Sequence, residues 1–175
     1  MIAYTTCCFT LWFVNSTTQH YDDMASTLVK IDIHLIFHVR STGMTMYEED
    51  LDRVFAYIGG IIRSLGGLAI EVGGRPDHVH ILCSLPKTMT LADFVRTVKA
   101  ESSKWMRSLP EGRYAKFSWQ EGYGAFSVSP SLLDRTVEYI RRQAEHHRRW
   151  SFKEEYTKFL DAYGIHYDER YAFGD

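Results

Sequence analysis

The chain has 175 residues, of which 45% are hydrophobic and 14% aromatic, and its formal net charge is −2. This length and composition predict one globular domain with a buried core and exclude a disordered chain. The three cysteines form neither a C-x-x-C pair nor an even-numbered disulfide framework, so we expect a reduced, cytoplasmic protein. The apolar segment 2–14 is too short to span a bilayer and lacks the basic start of a signal peptide, so we expect no membrane segment.

The charges are unevenly distributed along the chain. Residues 94–149 contain 11 basic and 6 acidic side chains, whereas the rest of the chain has 9 basic and 16 acidic ones. A basic region inside an acidic chain suits local contact with phosphate groups, although many helices carry such charges on solvated faces. The charge pattern therefore leaves a nucleic-acid partner open without predicting one.

Residues 1–23 show neither a helical nor a strand period, so we expect an unstructured leader or a natural start at Met24. Apolar and mixed polar residues alternate over 29–39, which predicts a strand with one apolar face. The remaining signals predict a helix over 47–65, strands over 68–72 and 78–85 joined by a turn at 73–77, a helix over 91–109, an extended segment over 117–128, a helix from Pro130 to about Arg149 and a last helix over 152–163.

The order strand–helix–strand–strand–helix–strand is the ferredoxin-like α+β pattern, an antiparallel sheet with both helices on one face. The helix that begins at Pro130 is an addition to this pattern. The other face of the sheet is then expected to be open for a site. We divide the chain into a leader (1–23), one domain (24–150) and a C-terminal helix and tail (151–175).

The segment Asp77-His78-Val79-His80 lies in the predicted third strand. Successive strand side chains point to opposite faces, so the two histidines share one face. Two neighbouring imidazoles can bind one Mg²⁺, Mn²⁺ or Zn²⁺ ion, and Asp77 could orient one of them. A His-x-His pair in a strand is more often simply exposed, and an Asp before it is as often a turn residue. The pair alone therefore does not identify a metal site.

The helix after Pro130 carries Tyr139 and Gln143, whose spacing of four residues puts both on one helix face. A metal held by His78 and His80 would accept the Gln143 oxygen as a third ligand and leave the Tyr139 phenol beside the ion. A phenol is a poor nucleophile near neutral pH because its pKa is about 10, but a divalent ion can polarise a phosphate. Without the histidines, packing against the core is the preferred interpretation of Tyr139.

Basic and aromatic residues of the same region are candidates for contact with nucleic acid. Phosphate contacts are expected at Lys99, Lys104, Arg141, Arg142, Arg148 and Arg149. Unpaired bases could stack on Trp119, Tyr123 and Phe126. Each of these side chains by itself is more often a solvated charge or a core aromatic.

Together the motifs resemble single-tyrosine HUH transposases, the small transposases of the simplest bacterial insertion sequences, to which REP-associated tyrosine transposases are related. The resemblance spans about residues 26–147, and its motifs are His38-Val39-Arg40, the segment from Asp77 to Leu82, the segment from Lys99 to Ser103, the segment from Trp119 to Val128 and the segment from Tyr139 to Gln143. Their combined order and spacing are specific, although no single motif is. Residues from Arg148 onward resemble the tail of some members only.

The resemblance implies a reaction on single-stranded DNA with a subterminal hairpin. Its metal ligands map onto His78, His80 and Gln143, its cofactor is Mg²⁺ or Mn²⁺, and its nucleophile maps onto Tyr139. Attack on the scissile phosphate would give a 5′-phosphotyrosine and a free 3′-OH, and the hydroxyl of another strand would then rejoin the DNA without ATP. Family members of the insertion-sequence type are usually homodimers whose sites combine the histidines of one subunit with the tyrosine helix of the other.

Two other classes of function stay open. A non-catalytic module that binds single-stranded nucleic acid, derived from a domesticated or decayed transposase, is expected if one of the four site residues fails to reach the site. A ferredoxin-like protein that binds a small molecule or a metal would use the histidine pair without Tyr139. All four residue types are present, which favours the transposase.

Overall fold

The computed structural model describes residues 27–40, 44–147 and 150–173, so the predicted leader lies outside the described residues. The strands are β1 (Asp32–His38), β2 (Leu68–Arg75), β3 (His78–Ser84) and β4 (Gly124–Ser127). The α-helices are α1 (Leu51–Ser64), α2 (Leu91–Arg107), α3 (Leu133–Arg141), α4 (Gln143–His146), α5 (Phe152–Ala162) and α6 (Glu169–Ala172). Within these ranges, no helix is both long and apolar enough to cross a bilayer.

The described residues form a four-stranded sheet with the strand order β2-β3-β1-β4, and every neighbouring pair is antiparallel. The main core lies between this sheet and the helices α1 and α2. Leu35 and Phe37 of β1 and Val79 and Ile81 of β3 are buried in it. Residues two apart in a strand share a side, so the alternation of apolar residues predicted this face correctly. The predicted ferredoxin-like α+β arrangement is confirmed.

The opposite face of the sheet is covered, although it was expected to be open. Ile36 of β1 and Phe126 of β4 form a second core with Tyr156 and Leu160 of α5. All seven residues of β1 are therefore buried, including those on the more polar side. The physical reason is that Ile36 and Phe126 would expose apolar surface on an uncovered sheet. Packing of the apolar stripe of α5 removes that surface from water. The predicted C-terminal helix thus packs directly on the sheet.

The extended segment predicted over 117–128 forms a strand only at 124–127. Upstream of this strand, the Lys99 ammonium donates hydrogen bonds to three successive backbone carbonyls, those of residues 120–122, at 2.6, 3.1 and 2.8 Å. These carbonyls converge on one cation, so they cannot alternate between the two edges of a regular strand. The segment is a loop for that reason.

The helix predicted from Pro130 to about Arg149 is interrupted at Arg142, where φ is −93° and ψ is 15°. The chain continues as the short helix α4, and residues 148 and 149 lie outside the described residues. The interruption separates the environments of two predicted site residues. Gln143 is buried, whereas Tyr139 is half-buried.

Two glycines let the covering helices approach the sheet closely. A Cβ atom at Gly73 in β2 would lie 2.8 Å from Cγ2 and 3.1 Å from the carbonyl oxygen of Ile140 in α3. A Cβ atom at Gly124 in β4 would lie 2.7 Å from the Tyr156 ring in α5. A side chain at either position would push a helix away, so these glycines set the distance between the cover and the sheet.

We expect Gly73→Ala to lower the free energy of unfolding by about 1–3 kcal/mol, because the added methyl group overlaps Ile140 and part of that contact is backbone. Urea denaturation followed by circular dichroism measures this change. Gly60→Ala in α1 is the matched control, because a Cβ atom there meets nothing within 4 Å. It is expected to raise stability by up to about 1 kcal/mol, as alanine does in helix interiors. Equal effects of the two substitutions on the free energy of unfolding would contradict the close approach of α3 to β2.

Candidate active site

Three histidines lie side by side on the face of the sheet that α3 and α5 cover. His78 and His80 of β3 are fully buried, and His34 of the neighbouring strand β1 is nearly so. The His80 ring lies 5.1 Å from the ring of His78 and 5.1 Å from that of His34, measured between centroids. The two β3 histidines share one face, as strand alternation predicts, but they are buried under helices rather than exposed to solvent.

The His78 ring is oriented by its neighbours on both sides. Its Nδ1 atom lies 2.8 Å from the carboxylate of Asp77, to which an N–H there donates a hydrogen bond. This tautomer leaves Nε2 with a lone pair directed into the site, where the Gln143 Oε1 atom is 3.4 Å away. A carboxylate behind an imidazole is the usual way of orienting a metal-binding histidine. This hydrogen bond is the contact that the predicted orienting role of Asp77 requires, and the role itself stays a prediction.

The His80 ring has one nitrogen engaged and one without a partner. Its Nδ1 atom lies 3.0 Å from His34 Nε2. Its buried Nε2 atom has no hydrogen-bond partner among the described residues. Burial lowers the pKa values of His34 and His80 well below the usual range, so both rings are neutral. A neutral imidazole with a free, buried nitrogen is in the form that a metal ion binds.

A glutamate from α5 completes this cluster. The Glu155 carboxylate is buried and accepts a hydrogen bond of 2.9 Å from the Gln143 side-chain amide. Its Oε2 atom lies 3.9 Å from His78 Nε2, 3.6 Å from His80 Nε2 and 2.7 Å from His147 Nε2. Burial raises the pKa of Glu155 to about 7. One carboxylate is thus surrounded by imidazole nitrogens of β3 and of the segment after α3.

These donors fit a divalent cation. Within the described residues, the donor atoms of His78, His147 and Glu155 all lie within 4.8 Å of one another. Imidazole nitrogen, amide oxygen and carboxylate oxygen are together suited to Mn²⁺ and Mg²⁺ and can also bind Zn²⁺. A buried nitrogen without a partner costs roughly 1–3 kcal/mol, and a bound ion would remove that cost at His80.

Tyr139 of α3 lies beside the histidine cluster. The centroid of its ring is 5.8 Å from that of His80 and 6.2 Å from that of His34, and both contacts are edge-on. Phe159 of α5 contacts both groups, with its ring centroid 5.7 Å from that of Tyr139 and 5.2 Å from that of His34. A single chain therefore brings together Tyr139, Gln143 and both β3 histidines.

Tyr139 also borders a pocket of about 360 Å³ that is open to solvent. The pocket is lined by Arg135, Glu138, Tyr139, Arg142, Glu145, His146 and Trp150. Arg142 is held there by two carboxylates, at 3.4 Å from Glu138 and 2.9 Å from Glu145. The phenol thus lies between a buried cluster of imidazole, amide and carboxyl groups and a solvent-open pocket that is lined by two arginines.

The structure separates the other residues that were predicted to contact DNA. Lys104 is exposed on α2, which packs on the opposite face of the sheet, and Arg141 forms an ion pair of 2.8 Å with Glu71. The donors of Lys99 are occupied by the three carbonyls of the loop, and burial lowers the pKa of its ammonium to about 8. Only Arg142 of these four lines the pocket beside Tyr139.

The predicted stacking aromatics also differ in position. Trp119 is buried between Phe37 and Phe117, and its indole N–H donates to Ser102 Oγ at 2.9 Å. Its burial places it in the core rather than on a surface open to a base. Phe126 is likewise buried, within the second core. Tyr123 is exposed and is the member of this group that a base could reach without a rearrangement.

Sequence reasoning missed His34, His147 and Glu155. One signal for Glu155 was present, because α5 carries large apolar residues at 152, 156, 159 and 160, and position 155 lies within that stripe. A carboxylate on the buried face of an amphipathic helix needs a partner, and this mismatch predicts a polar site opposite the helix. For His34 the alternation of β1 indicated the right side, since its mixed polar face was expected to look onto the site, but it did not indicate the contact with His80.

Comparisons with known proteins agree with this architecture. A family model described as IS200-like transposase matches residues 27–143. The ISDra2 transposase TnpA of Deinococcus radiodurans is 26% identical over 118 residues, which cover 65% of this chain and 84% of that protein. A solved structure described as a transposase from the same species has a TM-score of 0.52 and 23% identity, and covers 67% of this chain and 94% of the other. A REP-associated tyrosine transposase bound to a REP hairpin also has a TM-score of 0.52, with 14% identity and coverage of 69% and 71%.

The family match covers more than half of the chain. It contains the whole sheet, the helices α1 to α3 and the residues His78, His80, Tyr139 and Gln143, whereas α5 and Glu155 lie beyond its end. The two solved structures support the fold. The resemblance inferred from the motifs is therefore confirmed, and the chain belongs to the IS200-like transposases, a family of DNA transposases of insertion sequences.

Proposed function

We propose that the protein cuts and rejoins single-stranded DNA with hairpin-bearing ends, with Tyr139 as the nucleophile and Mg²⁺ or Mn²⁺ bound by His78, His80 and Gln143. The observation that carries this proposal is the edge-on contact between the Tyr139 and His80 rings, with Gln143 against His78 in the same cluster. The REP-associated transposase was solved with a REP hairpin, which supports a hairpin-bearing substrate for this chain.

The reaction exchanges one phosphodiester for another. The Tyr139 oxygen forms a bond to the scissile phosphorus, and the bond from phosphorus to the 3′-oxygen of the leaving strand breaks. The phenol loses its proton, and the leaving oxygen gains one and departs as a free 3′-OH. A divalent ion, when bound, would polarise the phosphate and stabilise the charge on the leaving oxygen. The 5′-phosphotyrosine retains the energy of the broken bond, so a 3′-OH of another strand can displace Tyr139 without ATP.

The chain's own residues prepare the site for this exchange. Asp77 and His34 hold the rings of His78 and His80 so that Nε2 of each faces the cluster interior. The covering helices exclude water from that interior, which strengthens electrostatic interactions there. Arg142 lines the pocket beside the phenol and can bind a DNA phosphate once it exchanges its carboxylate partners.

Subunit sharing and location follow from the same proposal. We expect a homodimer, although Tyr139 already lies beside His80 of its own chain, so an exchange of tyrosine helices is not required to assemble the site. Such an exchange would separate Ile140 from Gly73, on which it packs.

The substrate and the absence of a predicted disulfide framework fit a reaction in the cytoplasm. The alternative, a non-catalytic module that binds single-stranded nucleic acid, is less well supported because Tyr139 and Gln143 both reach the histidines.

We expect Tyr139→Phe to abolish the covalent protein–DNA adduct, a loss of at least about 10³-fold, because phenylalanine keeps the ring contacts but has no nucleophilic oxygen. The measurement is a denaturing gel with Mn²⁺ and labelled, hairpin-bearing single-stranded DNA from the gene's own flanks. Tyr57→Phe is the matched control, because Tyr57 of α1 stacks on Trp105 of α2, on the other side of the sheet from the histidines. An adduct that survives Tyr139→Phe would refute the assignment of the nucleophile.

Chelation with EDTA is expected to remove the adduct, and added Mg²⁺ or Mn²⁺ to restore it. The ion should act through His78 and His80, so His80→Ala should reduce adduct formation by about 10²-fold or more even at saturating Mn²⁺. His166→Ala is the control, because His166 is exposed in the C-terminal segment. Full activity in EDTA, or an unaffected His80→Ala variant, would rule out a metal-dependent mechanism at this site.

Arg142→Ala is expected to weaken binding of single-stranded hairpin DNA and to reduce the slope of log K against log salt by about one, as the loss of one phosphate contact does. Fluorescence anisotropy over a range of salt concentrations provides both quantities. Arg96→Ala is the control, because Arg96 is also exposed and paired with an acidic residue, but lies on α2. Equal salt slopes for the wild type and Arg142→Ala would exclude Arg142 as a phosphate contact.

A further inference from the structure

The environment of Glu155 is unusual for a carboxylate. Its side chain is about 3% exposed, and its ion-pair partners within 4.0 Å among the described residues are all histidines. Burying a carboxylate is costly unless the charge is paired or coordinates a metal ion. Among the described residues, no Lys or Arg side chain therefore forms a direct ion pair with this buried carboxyl group within 4.0 Å.

The atoms around Glu155 form a set of donors that face one another. His80 Nε2 has no hydrogen-bond partner and lies 3.6 Å from Glu155 Oε2. His78 Nε2 lies 3.9 Å from the same oxygen and 3.4 Å from Gln143 Oε1. Donor atoms bound to one ion at about 2.1 Å lie roughly 3.0–3.4 Å apart. These three separations are equal to or slightly wider than that range, so small side-chain movements would let the His78 and His80 nitrogens bind an ion held by Glu155 Oε2.

The helix α5 holds Glu155 in this position by independent contacts. Ser151 begins the helix with a capping box, in which its backbone N–H and hydroxyl both engage Glu154. Tyr156 and Leu160 pack on the second core of the sheet, and the Gly124 seat admits the Tyr156 ring. His147 Nε2, at 2.7 Å, orients the carboxylate further. The carboxylate is thus fixed on a packed helix rather than on a loop.

We propose that Glu155 is a fourth protein ligand of the divalent ion, so that α5 completes the metal centre begun by β3 and Gln143. This inference rests on the proposed metal-dependent function. The additional ligand comes from outside the part of the chain that matches the family model, which ends at residue 143. A carboxylate adds a negative charge to an otherwise neutral set of two imidazoles and an amide, and it favours the oxygen-preferring ions Mg²⁺ and Mn²⁺.

The test is Mn²⁺ binding to the full-length protein without DNA, measured by electron paramagnetic resonance of the free ion and by isothermal titration calorimetry. Glu155→Gln keeps the size and removes the charge, and we expect it to raise the Kd for Mn²⁺ by about 10- to 100-fold. Asp161→Asn is the matched control, because it removes an exposed carboxylate from the same helix and should leave the Kd unchanged. Glu155→Asp retains the carboxylate and is expected to bind Mn²⁺ more tightly than Glu155→Gln.

His80→Ala separates the two proposals. If His80→Ala binds Mn²⁺ as tightly as the wild type, the metal centre itself is refuted. If His80→Ala loses binding while Glu155→Gln keeps the wild-type Kd or binds more tightly, the centre stands and the role of Glu155 is overturned. Tighter binding would identify Glu155 as a group that fills the place of the ion. Thermal unfolding without metal checks that each variant folds. If Glu155→Gln fails to fold, Glu155→Asp decides the question. A loss of Mn²⁺ binding in Glu155→Asp to the level of His80→Ala would also overturn the inference.

Discussion

Three imidazole rings are buried side by side under two helices, and the hydrogen-bonding needs of these rings govern the rest of the structure. Each ring nitrogen that is removed from water needs a partner or carries a cost. Asp77 serves His78, and His34 serves His80, so each ring of β3 has its outer nitrogen engaged. The inner nitrogens face Gln143 and Glu155. The cluster is consistent as a protein interior only if a proton or a cation lies among these groups.

The cover over the cluster depends on backbone features as much as on side chains. Gly73 and Gly124 allow α3 and α5 to approach the sheet more closely than any other residue would permit. The interruption of the helix at Arg142 then separates the buried Gln143 from the half-buried Tyr139. The two parts of the site therefore differ in their exposure to solvent. The imidazole cluster is buried, whereas the phenol of Tyr139 borders a pocket that is open to solvent.

The distribution of charge explains how an acidic chain can act on DNA. The arginine beside Tyr139 is paired with Glu138 and Glu145, so a phosphate that bound to it would first have to displace these carboxylates. Such exchange costs part of the electrostatic gain and limits unspecific binding to nucleic acid. Residues 94–149 therefore have a net positive charge, but several of their arginines form ion pairs with nearby carboxylates. Lys99, at the start of that region, supports a loop.

Strand alternation, helix periodicity and turn residues determined the order of elements, the antiparallel sheet and the shared face of His78 and His80. These features are local, because a period of two or of 3.6 is written into neighbouring residues. The spacing of Tyr139 and Gln143 was equally readable and pointed to the same site.

Only the tertiary structure decided which groups meet across the sheet. His34 and Glu155 come from elements separated by about 120 residues, and no local pattern relates them. The covering of the second face depended on α5, whose apolar stripe could have packed on any apolar surface. Glu155 interrupts that stripe with a charge, which only the histidines opposite it explain. The sequence therefore identified half of the cluster, and packing supplied the rest, because burial and partnership are properties of the folded chain.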